Sequence, residues 1–194
     1  MRIIGLTGSI GMGKSVLASQ WRSIGVPVYD ADKNVHELMQ PNGLAFNAVT
    51  KLFPSVIENG KINRKKLGEI VFNDKEKLKS LEAIIHPLTY KSSKDFIKKC
   101  RQNRKKICVL DIPLLFELGR ENTVNEILCV TAPAYTQQRR VLSRPNMTHD
   151  KFKSIVRSQI PDYRKRILSD HVVITARGKR HTLNQIKRIK NNEQ

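Results

Sequence analysis

Eight residues near the start of the chain have the spacing of a phosphate-binding loop. Residues 8–15 read GSIGMGKS, which fits the pattern G-x-x-x-x-G-K-S. In this pattern the glycines let backbone N–H groups surround phosphate oxygens, and the N-terminus of the following helix adds its dipole. Lys14 is expected to reach the β- and γ-phosphates, and Ser15 to offer its hydroxyl to Mg²⁺. A strand pattern before the loop and a helix pattern after it favour this interpretation over a glycine-rich turn without a ligand. The residues expected to line the nucleotide are Gly8, Gly11, Met12, Gly13, Lys14, Ser15 and Val16.

The reaction class follows from what the rest of the chain contains. A GTPase would normally carry an N-K-x-D motif that reads guanine, and the sequence has none. The chain is also short for a motor protein or a helicase. A small phosphotransferase that uses ATP and Mg²⁺ remains, and such an enzyme needs an acid beside the acceptor, an acid beside the metal and cations around the migrating phosphoryl group.

Two carboxylates follow the second predicted strand, in the segment YDAD at 29–32. Ligands of open α/β sheets bind at the carboxyl ends of the strands, which is where this segment lies. Asp32 is therefore a candidate to accept the proton of an acceptor hydroxyl, while Asp30 caps the following helix. The alternative is that both residues only cap that helix, which is a common role of Asp.

A metal-side acid and a cationic group are also present. Asp111 ends the apolar run CVLD and fits an acid that acts on Mg²⁺ directly or through water; the alternative is an ordinary acid at a strand end. In QQRRVLSR at 137–144, a continuous helix would place Arg140 and Arg144 on one face. There they could close over the triphosphate and stabilise charge in the transition state. Without the phosphate loop, both would be interpreted as surface arginines.

The order of elements predicts an α/β fold. Short apolar runs rich in Val and Ile are typical of strands covered on both faces, and their alternation with helices predicts a parallel sheet. The five strand candidates cover 2–6, 26–30, 107–112, 126–132 and 171–175. A helix is predicted from Lys14 to about Ile24. The long, mostly helical stretch from about 33 to 103 exceeds a minimal crossover, so part of it should form a helical subdomain.

Composition limits the remaining possibilities. The 194 residues suffice for one domain with an insert, and no apolar run is long enough to cross a bilayer. The N-terminus does not resemble a secretory signal, so a cytoplasmic location is expected. The 36 Lys and Arg against 17 Asp and Glu give a net charge of +19. A solvated basic surface around a site for phosphorylated small molecules is favoured over a nucleic-acid platform, because few aromatic residues accompany the basic ones.

Several segments together resemble the dephospho-CoA kinase family. They are GLTGSIGMGKS, VYDAD, INRKKLGEIVF, LEAIIHPL, VLDIPLLFE and the RR…R segment, and they run in order from the first strand to about residue 173. HPL and PLLFE are not general features of phosphate-loop kinases, which makes the resemblance specific. It implies a phosphate-loop fold with a five-stranded parallel sheet in a core of about 1–32 and 104–194. It also implies a CoA-binding helical insert of about 33–103 and a lid at about 138–150. The implied reaction transfers the γ-phosphoryl group of ATP to the 3′-hydroxyl of dephospho-CoA.

The resemblance also implies roles for individual residues. Asp32 matches the acid proposed as the base, and Arg140 matches the lid arginine, with Arg144 also on the nucleotide side. Positions that match the acceptor side are Arg64, His86, Pro113, Leu114, Leu115 and Glu117. No membrane partner is implied, and the protein is expected to be a monomer or a weak oligomer.

The sequence departs from the family pattern at three places. His36 stands where the family often has Arg, so a contact to an acceptor phosphate there would be weaker and sensitive to pH. Pro145 replaces an acidic residue after Arg144, which could alter the lid hinge. The usual VIDN reads VVIT at 172–175, which removes an Asp-Asn pair near the adenine side. Two other functions stay open: another small-molecule kinase of shikimate or nucleotide type, and a basic NTPase that binds nucleic acid.

Overall fold

The computed structural model describes residues 1–192, which fold into two units. One unit comprises Met1–Tyr29 together with the chain from Lys99 onward, and the other is Asp30–Lys98. The sequence predicts the helical insert at about 33–103. Each unit has its own buried apolar cluster and is described by itself below.

A five-stranded parallel sheet forms the centre of the first unit, in the order β2-β5-β1-β6-β7. Its strands are β1 (Arg2–Thr7), β2 (Val28–Asp30), β5 (Ile107–Asp111), β6 (Glu126–Thr131) and β7 (His171–Ile174). The prediction of five parallel strands is confirmed, and each strand lies within its predicted range or extends it by one residue. Strand β1 is central, and every residue of β5 is buried. The continuous apolar runs that predicted these strands are therefore explained by cover on both faces.

Helices follow the strands of this unit as crossovers and surface layers. They are α1 (Lys14–Ser23), α6 (Ala134–Leu142), α7 (His149–Ser158), α8 (Asp162–Ile167) and α9 (Lys179–Asn191). Helix α1 buries Leu17, Ala18 and Trp21 in the core that β1 and β6 also line. The chain leaves β1 toward β2 and leaves β6 toward β7, on opposite sides of this strand pair. Such a switch point is where open α/β sheets bind ligands.

The second unit is mostly helical. It contains α2 (Ala31–Leu38), α3 (Phe46–Leu52), α4 (Arg64–Phe72) and most of α5 (Lys75–Gln102), together with the short strands β3 (Ile57–Glu58) and β4 (Lys61–Ile62). Strands β3 and β4 pair antiparallel around Asn59 and Gly60, which both have positive φ. Asn-Gly with this backbone is the two-residue hairpin turn that suits the twist of the strands.

A charged cluster lies where β1, β6 and β7 begin. The guanidinium of Arg2 donates to both carboxylate oxygens of Glu126, over 2.6 and 2.7 Å, and Nε2 of His171 lies 2.8 Å from Glu126 Oε2. The hydrogen bonds from Arg2, assisted by the contact with His171, lower the pKa of Glu126 to about 2. This cluster fastens three neighbouring strands together at the amino-terminal edge of the sheet.

The three cysteines of the chain are buried, and none forms a disulfide. Cys108 lies in β5, Cys129 lies in β6, and Cys100 lies near the end of α5. Burial raises the pKa of Cys108 and of Cys129 to about 12, and it also raises that of Cys100. Over residues 1–192, no helix is long and apolar enough to span a membrane.

Candidate functional site

The loop between β1 and α1 presents backbone donors at the carboxyl edge of the sheet. Gly13 is the N-cap of α1, and among the described residues no side chain caps this helix. The first N–H groups of a helix have no acceptor within the helix, so those of Lys14 and Ser15 are suited to an anionic oxygen. The N–H of Val16 donates to the carbonyl of Gly13 over 3.1 Å. No acidic residue lies in the first turn to compete for them.

Close packing explains why residue 13 is a glycine. Its φ of +95° lies in the left-handed region. A Cβ added there would also lie 2.9 Å from the hydroxyl oxygen of Thr175 and 3.1 Å from its Cβ. Any larger residue would therefore strain the backbone and displace a neighbour.

Two glutamines from other parts of the chain hold the loop at Ile10. The side chain of Gln137 in α6 donates to the carbonyl of Ile10 over 2.8 Å, and the N–H of Ile10 donates to the side chain of Gln159 over 3.0 Å. Sequence reasoning missed both residues. Because they lie 127 and 149 positions from Ile10, no local pattern could have indicated them.

Lys14 and Asp111 form an ion pair beside the loop. The Nζ of Lys14 lies 2.5 Å from Oδ1 of Asp111, and only 16% and 4% of the two side chains are exposed. Asp111 ends β5 and pairs in register with Leu6 of β1, so the sheet itself positions the carboxylate next to the phosphate loop. The arrangement places a cation and an oxygen ligand together, as phosphate and Mg²⁺ require.

The residues present fit a magnesium ion bound together with a nucleotide. Mg²⁺ in such sites is held by one or two protein oxygens, with phosphates and water completing its octahedron. Ser15 and Asp111 would supply those protein oxygens. Within residues 1–192, no group of three or more His, Cys, Asp or Glu side chains could hold a metal on its own.

Arg140 lies in the last turn of α6 and reaches the loop. Its Nη1 donates to the hydroxyl of Thr175 over 2.9 Å and to the carbonyl of Gly11 over 3.4 Å, and its Nη2 donates to the carbonyl of Thr175 over 3.0 Å. The guanidinium is therefore fixed against the phosphate loop. A cation in this position can neutralise charge that develops on a phosphoryl group.

The prediction that Arg140 and Arg144 share a helix face is wrong. Helix α6 ends at Leu142 with Ser143 as its C-cap, so the exposed Arg144 lies beyond the helix. Pro145 explains this end, because a proline disfavours helical backbone at the residue before it.

The two aspartates of the DAD segment have different environments. Asp30 is the N-cap of α2, and its side chain accepts from the N–H of Lys33 over 2.9 Å. Asp32 lies in the first turn of α2, is exposed, and makes no hydrogen bond or ion pair to any described residue. The capping role therefore belongs to Asp30, and the carboxylate of Asp32 is available for chemistry.

Two basic residues meet in the second unit. Arg64 begins α4, and its Nη1 lies 3.3 Å from Nδ1 of His36 in α2. The other ring nitrogen of His36 lies 3.0 Å from the side-chain amide of Gln40. His86 is half-buried in α5 directly before Pro87, and its carbonyl accepts from the hydroxyl of Thr89 over 3.0 Å.

The residues that follow β5, from Pro113 to Glu117, differ in how far they are buried. Pro113 is half-buried, and Leu114 is exposed by 38%. Leu115 is fully buried and packs against Gly5. Oε1 of Glu117 lies 2.7 Å from the Nζ of the fully buried Lys165 and accepts from the N–H of Ile160 over 2.9 Å. The side chains of Leu115 and Glu117 are thus engaged within the first unit.

Comparison with known proteins gives consistent matches over nearly the whole chain. The family model described as "Dephospho-CoA kinase" matches residues 2–179. A dephospho-CoA kinase of Bartonella quintana is 46% identical over 186 residues, which cover 96% of this chain and 95% of that protein. The crystal structure of TT1252 from Thermus thermophilus is 32% identical with a TM-score of 0.86, over 99% of this chain and 97% of that one. The dephospho-CoA kinase structure from Campylobacter jejuni is 25% identical with a TM-score of 0.68, over the same shares.

Proposed function

This chain belongs to the dephospho-CoA kinase family, and we propose that it transfers the γ-phosphoryl group of ATP to the ribose 3′-hydroxyl of dephospho-CoA, the last step of coenzyme A biosynthesis. It is a kinase. The observation that carries the proposal is a phosphate loop whose Lys14 pairs with Asp111 and whose Gly11 carbonyl accepts from Arg140, in a chain that matches the family over residues 2–179. The match favours this function over a shikimate- or nucleotide-type kinase and over an NTPase that binds nucleic acid.

The nucleotide side of the reaction is assigned to the phosphate loop. The loop would surround the phosphates and present free backbone N–H groups to them, with Lys14 on the β- and γ-phosphates. The loop residues proposed to line the nucleotide are Gly8, Gly11, Met12, Gly13, Lys14, Ser15 and Val16. Arg140 would neutralise charge on the phosphoryl group as it moves. Arg144 is kept as a nucleotide contact, now from the turn after α6 rather than from the helix. Ser15 and Asp111 would hold Mg²⁺, which when bound screens the negative charge of the phosphates.

The acceptor side is assigned to the residues that match the family pattern there. Asp32 would take the proton of the 3′-hydroxyl while the hydroxyl oxygen bonds to the γ-phosphorus and the bond to the bridging oxygen of ADP breaks. Arg64 is proposed to bind acceptor phosphate, with His36 beside it as a weaker contact. His86, Pro113 and Leu114 are proposed to line the acceptor. Leu115 and Glu117 would act by holding that wall in place, because their own side chains are buried or paired.

A direct assay tests the function. Purified protein is supplied with ATP, Mg²⁺ and dephospho-CoA, and ADP and CoA are followed by mass spectrometry. Shikimate, a nucleoside monophosphate and RNA serve as competing candidates. We expect CoA only with dephospho-CoA; a folded protein that binds ATP and forms no CoA would contradict the proposal.

The role of Asp32 is tested by removing its charge. We expect Asp32→Asn to lower kcat by about 10²-fold or more while ATP affinity stays unchanged, because a general base acts in the chemical step. Glu37→Gln is the matched control, since it removes a charge from the surface of the same helix. If Asp32→Asn turned over as fast as Glu37→Gln, Asp32 would have no catalytic role.

We also infer a cytoplasmic location and a monomeric or weakly oligomeric protein. Both remain predictions. Fractionation of cells and size-exclusion chromatography with light scattering would test them.

A further inference from the structure

Thr175 follows the last strand of the sheet and has a fixed backbone. Its N–H donates to the carbonyl of Thr131 over 2.9 Å, which extends the pairing of β6 and β7 by one residue. Only 7% of the residue is exposed. The sheet therefore determines where this side chain lies.

The hydroxyl of Thr175 joins two parts of the nucleotide site. It donates to the carbonyl of Met12 in the phosphate loop over 2.6 Å and accepts from Nη1 of Arg140 over 2.9 Å. A hydroxyl has one proton to donate and two lone pairs to accept with, so both bonds can exist together. The carbonyl of Thr175 accepts from Nη2 of Arg140 over 3.0 Å. Thr175 thus forms two hydrogen bonds with the guanidinium of Arg140 and one with the phosphate loop.

Packing adds a fourth contact. The Cβ and Cγ2 of Thr175 lie 3.1 and 3.2 Å from the position that a Cβ on Gly13 would take. The side chain therefore packs against the loop at Gly13 and forms a hydrogen bond to it at Met12. These are the two residues that precede Lys14 in the sequence. Neither contact involves a residue close to Thr175 in the chain.

We propose that Thr175 is a positioning residue that sets Arg140 and the phosphate loop in a fixed arrangement for ATP. The proposal rests on the roles given above to the loop and to Arg140. Binding groups that are already aligned require little reordering when the phosphates arrive, which improves both affinity and rate. Valine has a similar shape but neither the donor nor the acceptor, so it would leave the Met12 carbonyl and Arg140 Nη1 without this partner. Serine keeps the hydroxyl and loses only a methyl group.

The first test measures nucleotide binding without an acceptor. Calorimetric titration with ATP and Mg²⁺ compares wild type with Thr175→Val, Thr175→Ser and Thr182→Val. Thr182 is the matched control, because it is 2% exposed and its hydroxyl donates to the carbonyl of Gly178 over 2.8 Å. We expect Thr175→Val to weaken ATP binding about 10-fold. This is less than the roughly 10²-fold loss of activity that a misplacement of about 1 Å in a site can cause. Thr175→Ser should stay within about threefold of wild type, which is the range of a small packing change. If the valine variant bound ATP like the Thr182→Val control, or if serine were as weak as valine, the proposal would be overturned.

The second test asks whether Thr175 acts through Arg140. We expect Thr175→Val to weaken ATP binding much less in an Arg140→Ala background, because the group it positions is then missing. Additive effects of the two substitutions would refute that link. Circular dichroism checks each variant for folding. If the valine variant does not fold, Thr175→Ala replaces it; this substitution removes both the hydroxyl and the methyl group, so it is compared with Thr175→Ser, which removes only the methyl group. Because the titrations need no dephospho-CoA, their outcome is separate from the assay of the proposed function: a protein that makes no CoA still gives a result for Thr175.

Discussion

Replacing Gly13 by alanine should damage the phosphate loop through two effects that can be separated. The first is backbone strain, because a φ of +95° costs a residue with a Cβ about 1–2 kcal/mol. The second is crowding, because the new Cβ would lie 2.9 Å from the Thr175 hydroxyl and 3.1 Å from its Cβ. Overpacking of a filled site costs about 1–3 kcal/mol. We therefore expect Gly13→Ala to lower the free energy of unfolding by about 2–5 kcal/mol.

Gly25→Ala isolates the first effect. Gly25 follows α1 with a φ of +78°, and a Cβ there would meet nothing within 4 Å. We expect the free energy of unfolding of this variant to fall only by the cost of the backbone strain, about 1–2 kcal/mol. At about 2–4 °C per kcal/mol for a chain of this size, the two variants should melt several degrees apart.

The assay is urea unfolding followed by circular dichroism, paired with ATP titration of each variant. Gly13→Ala should weaken ATP binding as well as stability, because Thr175 can make room only by moving the groups that it holds. Gly25→Ala should bind ATP like wild type. Equal losses of stability in the two variants would mean that the loop accommodates the extra carbon, and the packing argument would fail.

Two further predictions concern charged groups outside the nucleotide site. Because the pKa of Glu126 is lowered to about 2, its ion pair should contribute stability above pH 4.5 and lose that contribution as the pH falls toward 2. In urea unfolding, Glu126→Gln should be about 1.5–3 kcal/mol less stable than wild type at pH 6, with the difference closing near pH 2; a constant difference would contradict the assignment. Lys165→Met should lower the free energy of unfolding by about 3–5 kcal/mol, because it leaves Glu117 without its buried cation. The double variant Glu117→Leu with Lys165→Met should recover most of that loss. Urea unfolding measures both, and a double variant no more stable than Lys165→Met would refute the explanation.

Local patterns in the sequence are sufficient to predict the elements of the core. The phosphate loop is recognisable because its glycines and Lys14 occupy fixed offsets, and the strands because burial on both faces makes them continuously apolar. The sequence does not predict the two short strands, β3 and β4, that form the hairpin. Each has two residues, which is too short for an alternating pattern, although the turn in ENGK is visible in the sequence.

Contacts between distant parts of the chain are not predictable in this way. A helix pattern through QQRRVLSR leads to the wrong placement of Arg144, because Pro145 disfavours helical backbone at the residue before it. Thr175 stands out in the sequence only as a departure from a family pattern. Its bonds to Met12 and Arg140 join segments that are 163 and 35 residues away. Only the assembled sheet reveals them.

The buried cysteines make this protein convenient for site-specific labelling. With a pKa of about 12, Cys108 and Cys129 would be thiolates in roughly one molecule in 10⁴ to 10⁵ near neutral pH, against a few per cent for an ordinary exposed thiol. A cysteine introduced at Tyr135, which is 73% exposed in α6, should therefore react with maleimide dyes far ahead of the native thiols. A fluorophore there would report on the helix that carries Arg140 without first removing any cysteine from the sheet.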